Sequence, residues 1–308
     1  MISIIVPFYN EEENIEALHS EIKEVCENNN IVYELIFIDD GSSDNTFNIA
    51  AKLSPVKLIK LRKNFGQTAA LDVGIKAAKY PYLITMDGDR QNNPDDIPRL
   101  IKHIKENDLD IVSGWRMERK DTLMKRFISW GAYRIRKILL KDGIHDSGCT
   151  LKIYKRECFE GVTLYGEMHR FIPAVLMRSG DKVGELAVCH RARPAGISKY
   201  NMSRTLKGFV DMLSVAFYDR FAVRPLHLFG GVGFLFFLLS FVSLIITVYY
   251  FIIGQGMSET AWPLLTVFLF LAGLQFFMFG ITIDILMKNR YETTKERSYS
   301  IKEIIENK

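Results

Sequence analysis

The 308-residue chain predicts an α/β protein with a mostly parallel, Rossmann-like sheet, followed by a two-helix transmembrane hairpin. Three observations carry that prediction. Strand-like and helix-like patterns alternate over residues 1–110; three of the strands end in carboxylates; and two long runs without charge lie near the C-terminus.

Ser3 to Phe8 is a β-branched strand, and Asn14 to Asn28 carries Ile15, Leu18, Ile22 and Val25 at helical spacing. Leu35 to Ile38 is the second strand, with a helix after Asp44. Val56 to Leu61 is the third, and Thr68 to Ala78 a helix of small residues. Tyr82 to Met86 is the fourth, followed by a helix over 94–106 and a strand over 110–113. Such alternation implies a parallel sheet covered on both faces. Residues 115–200 are more irregular, rich in Arg, Gly and His. No GxGxxG follows the first strand and no GxxxxGK[ST] occurs, so any nucleotide is handled by other means.

From Pro225 to Ser258, and again from Thr260 to Ile283, there is no Asp, Glu, Lys or Arg; Glu259 alone separates the runs. Each exceeds the ~20 apolar residues that a spanning helix needs. The expected organisation is a catalytic domain over 1–200, an amphipathic juxtamembrane helix over 201–224, and spans at about 227–252 and 261–286 within 225–287. A polar tail over 288–308 closes with a short helix at 300–306. Met202, Leu206, Phe209, Val210, Leu213 and Phe217 mark the apolar face of the juxtamembrane helix. Arg220 and Arg224 precede the first span, and Lys288, Arg290, Lys295 and Arg297 follow the second. The loop over 254–260 has no basic residue, which predicts both termini in the cytoplasm. Tyr249, Tyr250 and Trp262 suit the interfaces. Asp284, Gln275 and His227 read as lying toward span ends, so no transport path is expected. Gly230, Gly231 and Gly233 read as packing glycines, and Gly230, Gly233 and Gly273 offer a surface for homo-oligomers. Met1 to Asn10 lacks the basic start of a targeting signal. Cys26, Cys149, Cys158 and Cys189 have no metal-binding spacing and are expected as reduced thiols. A net charge of +4 does not suggest a nucleic-acid partner.

The chemistry concentrates where strands end. In Thr85-Met86-Asp87-Gly88-Asp89-Arg90-Gln91, two carboxylates one residue apart point the same way from extended backbone. They stand at the C-terminal lip of the sheet, where open α/β sheets bind ligands. With the Gln91 amide nearby they suit Mg²⁺ or Mn²⁺, ions that also take phosphate oxygens. The same residues also suit a solvated Asp-Gly turn. Pro7-Phe8-Tyr9-Asn10-Glu11 and Asp39-Asp40-Gly41-Ser42 end the first two strands, either as helix caps or as acceptors for a ribose and base.

Together these segments and Asn64-Phe65-Gly66 resemble inverting glycosyltransferase family 2, with its GT-A fold. Within it the chain looks like the polyprenyl-phosphate glycosyltransferases of the dolichyl-phosphate mannosyltransferase type. The supporting residues are Gln91-Asn92-Asn93-Pro94, Asp146-Ser147-Gly148-Cys149, Gly166-Glu167-Met168-His169-Arg170 and Gly196-Ile197-Ser198-Lys199-Tyr200. The resemblance implies transfer of one sugar from a nucleotide-sugar, uridine rather than guanosine, to undecaprenyl or another polyprenyl phosphate at the cytoplasmic membrane face. Pro7, Tyr9, Glu11, Asp39 and Asp40 would hold base and ribose, with Asn64 and Gly66 beside them. Asp87 would contact ribose or sugar, and Asp87, Asp89 and Gln91 the metal. Arg116, Lys125, Arg126 and Ser129 would grip phosphate. Asp146 is the candidate base, completing a catalytic set with Asp89 and Arg126, and it is expected to position as much as to accept a proton. Glu167, His169 and Arg170 would line the site, and Arg191, Arg193 and Lys199 would form a basic loop over phosphate. The chain departs from the pattern of other branches at Lys152, which stands where they carry Arg. A processive synthase is disfavoured by the lack of Gln-x-x-Arg-Trp and of a third span. A non-catalytic sugar-nucleotide sensor, or a transferase with another acceptor, remains the alternative.

Overall fold

The computed structural model describes residues 1–116, 143–162, 164, 166, 168–177, 180–192 and 225–294. The expected juxtamembrane and tail helices lie outside them. By its contacts the chain divides into two units, Met1–Ala216 and Phe217–Lys308.

In the first unit, every residue of β1 (Ile2–Phe8) is buried, as a strand covered on both faces requires. Its alternate side chains feed two cores. Ile2, Ile4, Val6 and Phe8 pack with Ile15, Leu18 and Ile22 of α1 (Ile15–Asn28) and with Ile97, Leu100 and Ile104 of α4 (Ile97–Glu106). Ile5 faces the other way, onto Ala70, Leu71 and Ile75 of α3 (Gln67–Ala77) and Ile172 and Leu176 of α5 (Ile172–Met177). The remaining elements are β2 (Tyr33–Asp39), α2 (Thr46–Ala50), β3 (Lys57–Lys60), β4 (Tyr82–Thr85), β5 (Ile111–Trp115), β6 (Lys152–Lys155) and β7 (Val183–Ala187). Among the described residues the seven strands form one sheet in the order β3-β2-β1-β4-β6-β5-β7. β3, β2, β1 and β4 run parallel, β6 is antiparallel to both neighbours, and β5 pairs parallel with β7.

One feature of register positions everything that follows. β1 pairs with β2 as far as Phe8–Asp39, but with β4 only as far as Ile5–Thr85. Pro7, which has no N–H to give a ladder, stands where β1 and β4 have parted. Because the chain winds from β1 toward β3 on one side and resumes at β4 on the other, this gap is the topological switch point of the sheet.

The second unit contains α6 (Pro225–Ile252) and α7 (Trp262–Thr294). Both are apolar all round and largely uncovered: Leu264 is 76% exposed and Phe234 62%. The apolar stretches of 28 and 26 residues would be about 42 and 39 Å long, enough to cross a hydrocarbon core of about 30 Å. Hydroxyls tie the helices together. Ser240 Oγ donates to the Thr266 carbonyl at 2.9 Å, Ser243 Oγ to the Trp262 carbonyl at 3.2 Å, and Thr266 Oγ1 to Ser243 Oγ at 2.9 Å. Two readings of this region change. Gln275 is exposed midway along α7, not near its end. Gly233 and Gly273 pack closely within the hairpin, a Cβ on Gly233 lying 2.8 Å from the Gly273 carbonyl oxygen, whereas a Cβ on Gly231 would meet nothing within 4 Å, so Gly231 is not the packing glycine expected.

Gly273→Leu should therefore force the two helices apart. We expect a lower unfolding temperature in detergent; an unchanged temperature would remove the close-packing argument.

Candidate active site

The crevice opened by β1 and β4 is lined by the ends of three strands. Asp87 and Asp89 follow β4. Gly88 between them lies against β1, where a Cβ would stand 2.8 Å from Phe8 Cβ, so no other residue fits without moving the strand. Arg90 then takes a positive φ of 60°, turning the chain back. The loop is closed by its own polar groups: Asp87 N–H donates to Asn92 Oδ1 at 3.1 Å, and Gln91 N–H to Asp89 Oδ1 at 3.1 Å. Outside it, Glu21 of α1 accepts from Arg90 and, at 2.9 Å, from Arg191, which also donates to Asn93. Arg191 is thus committed to bracing the acid loop; it is not spare for phosphate as expected.

Helix α3 aims its first turn at the same crevice. Gln67 Nε2 donates to Asp87 Oδ1 at 2.6 Å, and Thr68 Oγ1 meets His169 Nδ1 at 2.8 Å. Sequence reasoning passed over both Gln67 and Thr68; their position just after Asn64-Phe65-Gly66, at a helix start beside a strand lip, is the signal that marks them. Asp40 also differs from expectation. Its two oxygens accept the Phe65 and Gly66 N–H groups at 2.8 and 2.9 Å, so it builds the loop before α3. Asn64 is exposed on that loop. Asp39 is the reverse case: Oδ1 accepts Ser42 N–H at 2.8 Å, while Oδ2 is buried with no partner among the described residues. Such an oxygen is costly unless a ligand brings it an N–H or O–H. Pro7 is buried, Tyr9 is half-buried, and Glu11 accepts from Asn14 at 2.7 Å. Asn10 cross-ties the loops after β1 and β2 through Ser42 and Ser43.

Across the crevice, Arg116 and Asp146 form a two-pronged pair. Nε donates to Oδ2 at 2.6 Å and Nη2 to Oδ1 at 2.9 Å, and Gly148 N–H adds a bond to Oδ1 at 3.1 Å. Burial alone would lower the Arg116 pKa, but Asp146 lifts it above its ordinary value. A carboxylate so engaged is a poor proton acceptor and a good anchor for a guanidinium. Asp87, by contrast, is pushed up to about 6 by burial and by the negative charge of Asp89. His169 is buried against Thr68, and Arg170 Nε approaches its Nε2 at 3.4 Å. Lys125, Arg126, Ser129, Glu167, Arg193 and Lys199 lie outside the described residues.

The donor set fits a divalent ion of the Mg²⁺ type. Among the described residues no cluster of three or more His, Cys, Asp or Glu is available. What the crevice has is an acid pair, Asp87 and Asp89, whose mutual repulsion helps to raise Asp87, with the Gln91 amide on the same loop. That suits an ion whose remaining ligands are phosphate and water, not one caged wholly by protein.

The sequence profile of the family described as Glycosyl transferase family 2 matches residues 3–163. The chain belongs to that family. This family-2 glycosyltransferase is similar over 99% of its length to two curated relatives. One is the dodecaprenyl-phosphate galacturonate synthase of Rhizobium johnstonii, 36% identical over 93% of that protein. The other is the undecaprenyl-phosphate 4-deoxy-4-formamido-L-arabinose transferase of Yersinia pestis, 29% identical over 93%. Among solved structures, glucosyl-3-phosphoglycerate synthase from Mycobacterium tuberculosis, in complex with Mn²⁺, UDP and glucosyl-3-phosphoglycerate, shares the GT-A fold. It superposes with a TM-score of 0.55 at 17% identity, covering 70% of this chain and 79% of that one.

Asp87 gives a pH prediction. A carboxyl raised to about 6 in the folded state keeps its stabilising contribution below the ordinary carboxylate pKa of about 4 and loses it as pH rises through the higher value. Without metal, Asp87→Asn should unfold at a higher temperature than the parent above pH 6 and at the same temperature near pH 4. An advantage that is constant with pH would contradict the assignment.

Proposed function

We propose that this glycosyltransferase moves a single sugar, with inversion, from a nucleotide-sugar to polyprenyl phosphate at the cytoplasmic face of a membrane. The observation that carries the reading is the pairing of an acid-lined crevice with a half-buried guanidinium, Arg116, beside it, in a chain that also has two helices of membrane length. The relatives' names support a polyprenyl phosphate acceptor and carry two different sugars, so they leave the sugar open.

In this reading Asp39 offers its buried oxygen to the donor's base or ribose, for which uridine is favoured. Pro7, Tyr9 and Glu11 shape that end of the crevice, and Asp40 holds the loop carrying Asn64 and Gly66. Asp87 and Asp89, with Gln91, would hold Mg²⁺ or Mn²⁺. When bound, the ion neutralises charge on the diphosphate. Arg116 stabilises charge developing on phosphate oxygens, held in place by Asp146. Lys125, Arg126, Ser129, Arg193 and Lys199 would add contacts to phosphate, with Glu167, His169 and Arg170 beside the sugar. An oxygen of the lipid phosphate forms the new bond to the anomeric carbon as the bond to the nucleoside diphosphate breaks, and the electron pair leaves with the diphosphate. The lipid phosphate is already an anion at neutral pH, so no proton has to be removed. Asp146 is therefore a positioning residue here. Basic flanks on both spans favour cytoplasmic termini, and the acceptor's phosphate is then met on that side.

The test is transfer by full-length protein in detergent, with undecaprenyl phosphate, Mg²⁺ or Mn²⁺ and a panel of labelled nucleotide-sugars. A chelator-sensitive lipid carrying one sugar is expected. Nucleotide binding with no lipid product from any donor would instead favour a sensor or another acceptor. Asp89→Ala should lose transfer by about a hundredfold or more while staying folded and membrane-bound; parental turnover would sink the metal assignment. Asp146→Asn should lower kcat yet leave the shape of the pH–rate profile intact. Disappearance of its acidic limb would make Asp146 the base after all.

A further inference from the structure

The hairpin leaves the Gln275 amide where a membrane can least accommodate it. The apolar stretch of α7 runs from Trp262 to Met287, so Gln275 lies thirteen residues from one end and twelve from the other. At a rise of about 1.5 Å per residue that is about 20 and 18 Å inside, at the middle of the hydrocarbon. Thr266 donates to Ser243, Gly273 abuts the Gly233 carbonyl, and Gly280 abuts Leu226 and Phe229, which fixes the side of α7 that meets α6. At about 100° per residue, Gln275 stands about 180° from Thr266 and about 160° from Gly273. It is exposed, and no group of the described residues hydrogen-bonds its amide. Thr282, on the same side, differs: its hydroxyl donates to the Met278 carbonyl at 2.9 Å.

An amide in lipid has no water to turn to, and lipid tails offer neither donor nor acceptor. Another polypeptide at the same depth supplies both. Two copies of this chain insert with the same orientation, so a second α7 packed alongside runs parallel and brings its own Gln275 to the same level. A two-fold axis along the membrane normal then sets the two amides face to face. Each carries an N–H donor and a carbonyl acceptor, so two reciprocal hydrogen bonds satisfy the pair. An unrelated span would need its own polar group at the midplane on the matching face, and such groups are rare. The packing surface is present as well. Leu264, Phe268, Leu271, Met278, Phe279 and Leu286, at 3, 4, 7 or 11 residues from Gln275, share its side of α7 and are exposed. We propose that α7 pairs with α7 of a second copy along this line, with Gln275 bonded to Gln275 at its centre. Gly233 and Gly273 are already used inside the hairpin, so the contact between protomers is apolar and centred on the amides. The inference goes beyond the transferase reading and depends only on α7 spanning a bilayer.

The experiment measures self-association of the full-length protein in detergent by sedimentation equilibrium, and disulfide crosslinking in membranes with copper phenanthroline. The exposed Cys189 is first changed to serine. In that background Leu271→Cys and Phe279→Cys should each give an oxidised dimer. Leu274→Cys, at the same depth but turned about 100° away, should not. Gln275→Leu should raise the dissociation constant about tenfold or more, and Gln275→Asn, which keeps the amide, should recover most of that loss. Leucine only makes the span more apolar, so membrane insertion is not at risk in the decisive variant. A parent that stays monomeric at every protein-to-detergent ratio would overturn the proposal. So would association of Gln275→Leu equal to the parent's, because the amide would then build nothing. A crosslink from Leu271→Cys to a different protein, with none between copies, would give the face to another partner and overturn it equally. Protein released from membranes by carbonate would defeat the spanning reading and the pairing together. None of these readouts depends on the sugar or the acceptor, so failure of the transferase reading would leave the pairing standing.

Discussion

The early parting of β1 from β4 is the constraint on which the rest depends. Two parallel strands that stop pairing at Ile5–Thr85 leave both backbones with groups to satisfy, and the sequence meets that need locally. Pro7 removes one donor, Gly88 lets the β4 extension lie on Phe8, and Asn92 caps the turn that follows. Wherever the strands separate, a cleft must form at the carboxyl end of the sheet. The acids are placed on its walls because the strands end there.

Helix α3 keeps that cleft open at a defined width. Its N-terminus is fastened to β2 through Asp40, its first turn reaches Asp87 and His169 through Gln67 and Thr68, and Asp72 accepts the Leu164 N–H at 3.1 Å. One element thus sets the relative placement of the loop after β2, the acid pair and His169. Opposite it, the site separates its charges into kinds. Arg116 is fully answered by Asp146 and so becomes a fixed, preorganised positive group. Asp87 and Asp89 repel one another and are incompletely answered by protein, which leaves them dependent on what binds.

β1, β2 and β4 were legible because each is built round a β-branched apolar run, and β3 because Val56 and Leu61 extend the apolar pattern beyond its flanking lysines; the acid pair was legible because alternation on extended backbone is an arithmetic fact. β6 and β7 were not. Lys152-Ile153-Tyr154-Lys155 begins and ends with lysine, and Val183-Gly184-Glu185-Leu186-Ala187 interrupts its apolar pattern with Gly and Glu. Their strand character comes from tertiary pairing with β4 and β5. In the site, residue types told which groups were present but not which of their atoms were spoken for. Asp39 and Asp40 are adjacent and chemically alike, yet one points an unpartnered oxygen inward while the other is consumed by two backbone amides. Likewise the hydroxyls of Ser240, Ser243 and Thr266 look incidental in an apolar run until the second helix stands beside them.

The cysteines have a practical side. Cys26, Cys149 and Cys158 are buried, and burial pushes their thiols up to about 12, 11 and 12, so they are shielded from alkylation on two counts. Cys189 is exposed, its N–H held by Asp96 at 2.7 Å, beside the bridge between His190 and Asn92. To a maleimide the folded protein is close to a single-thiol molecule. A fluorophore or spin label placed there without engineering would ride on the rim of the acid loop and report its movements directly.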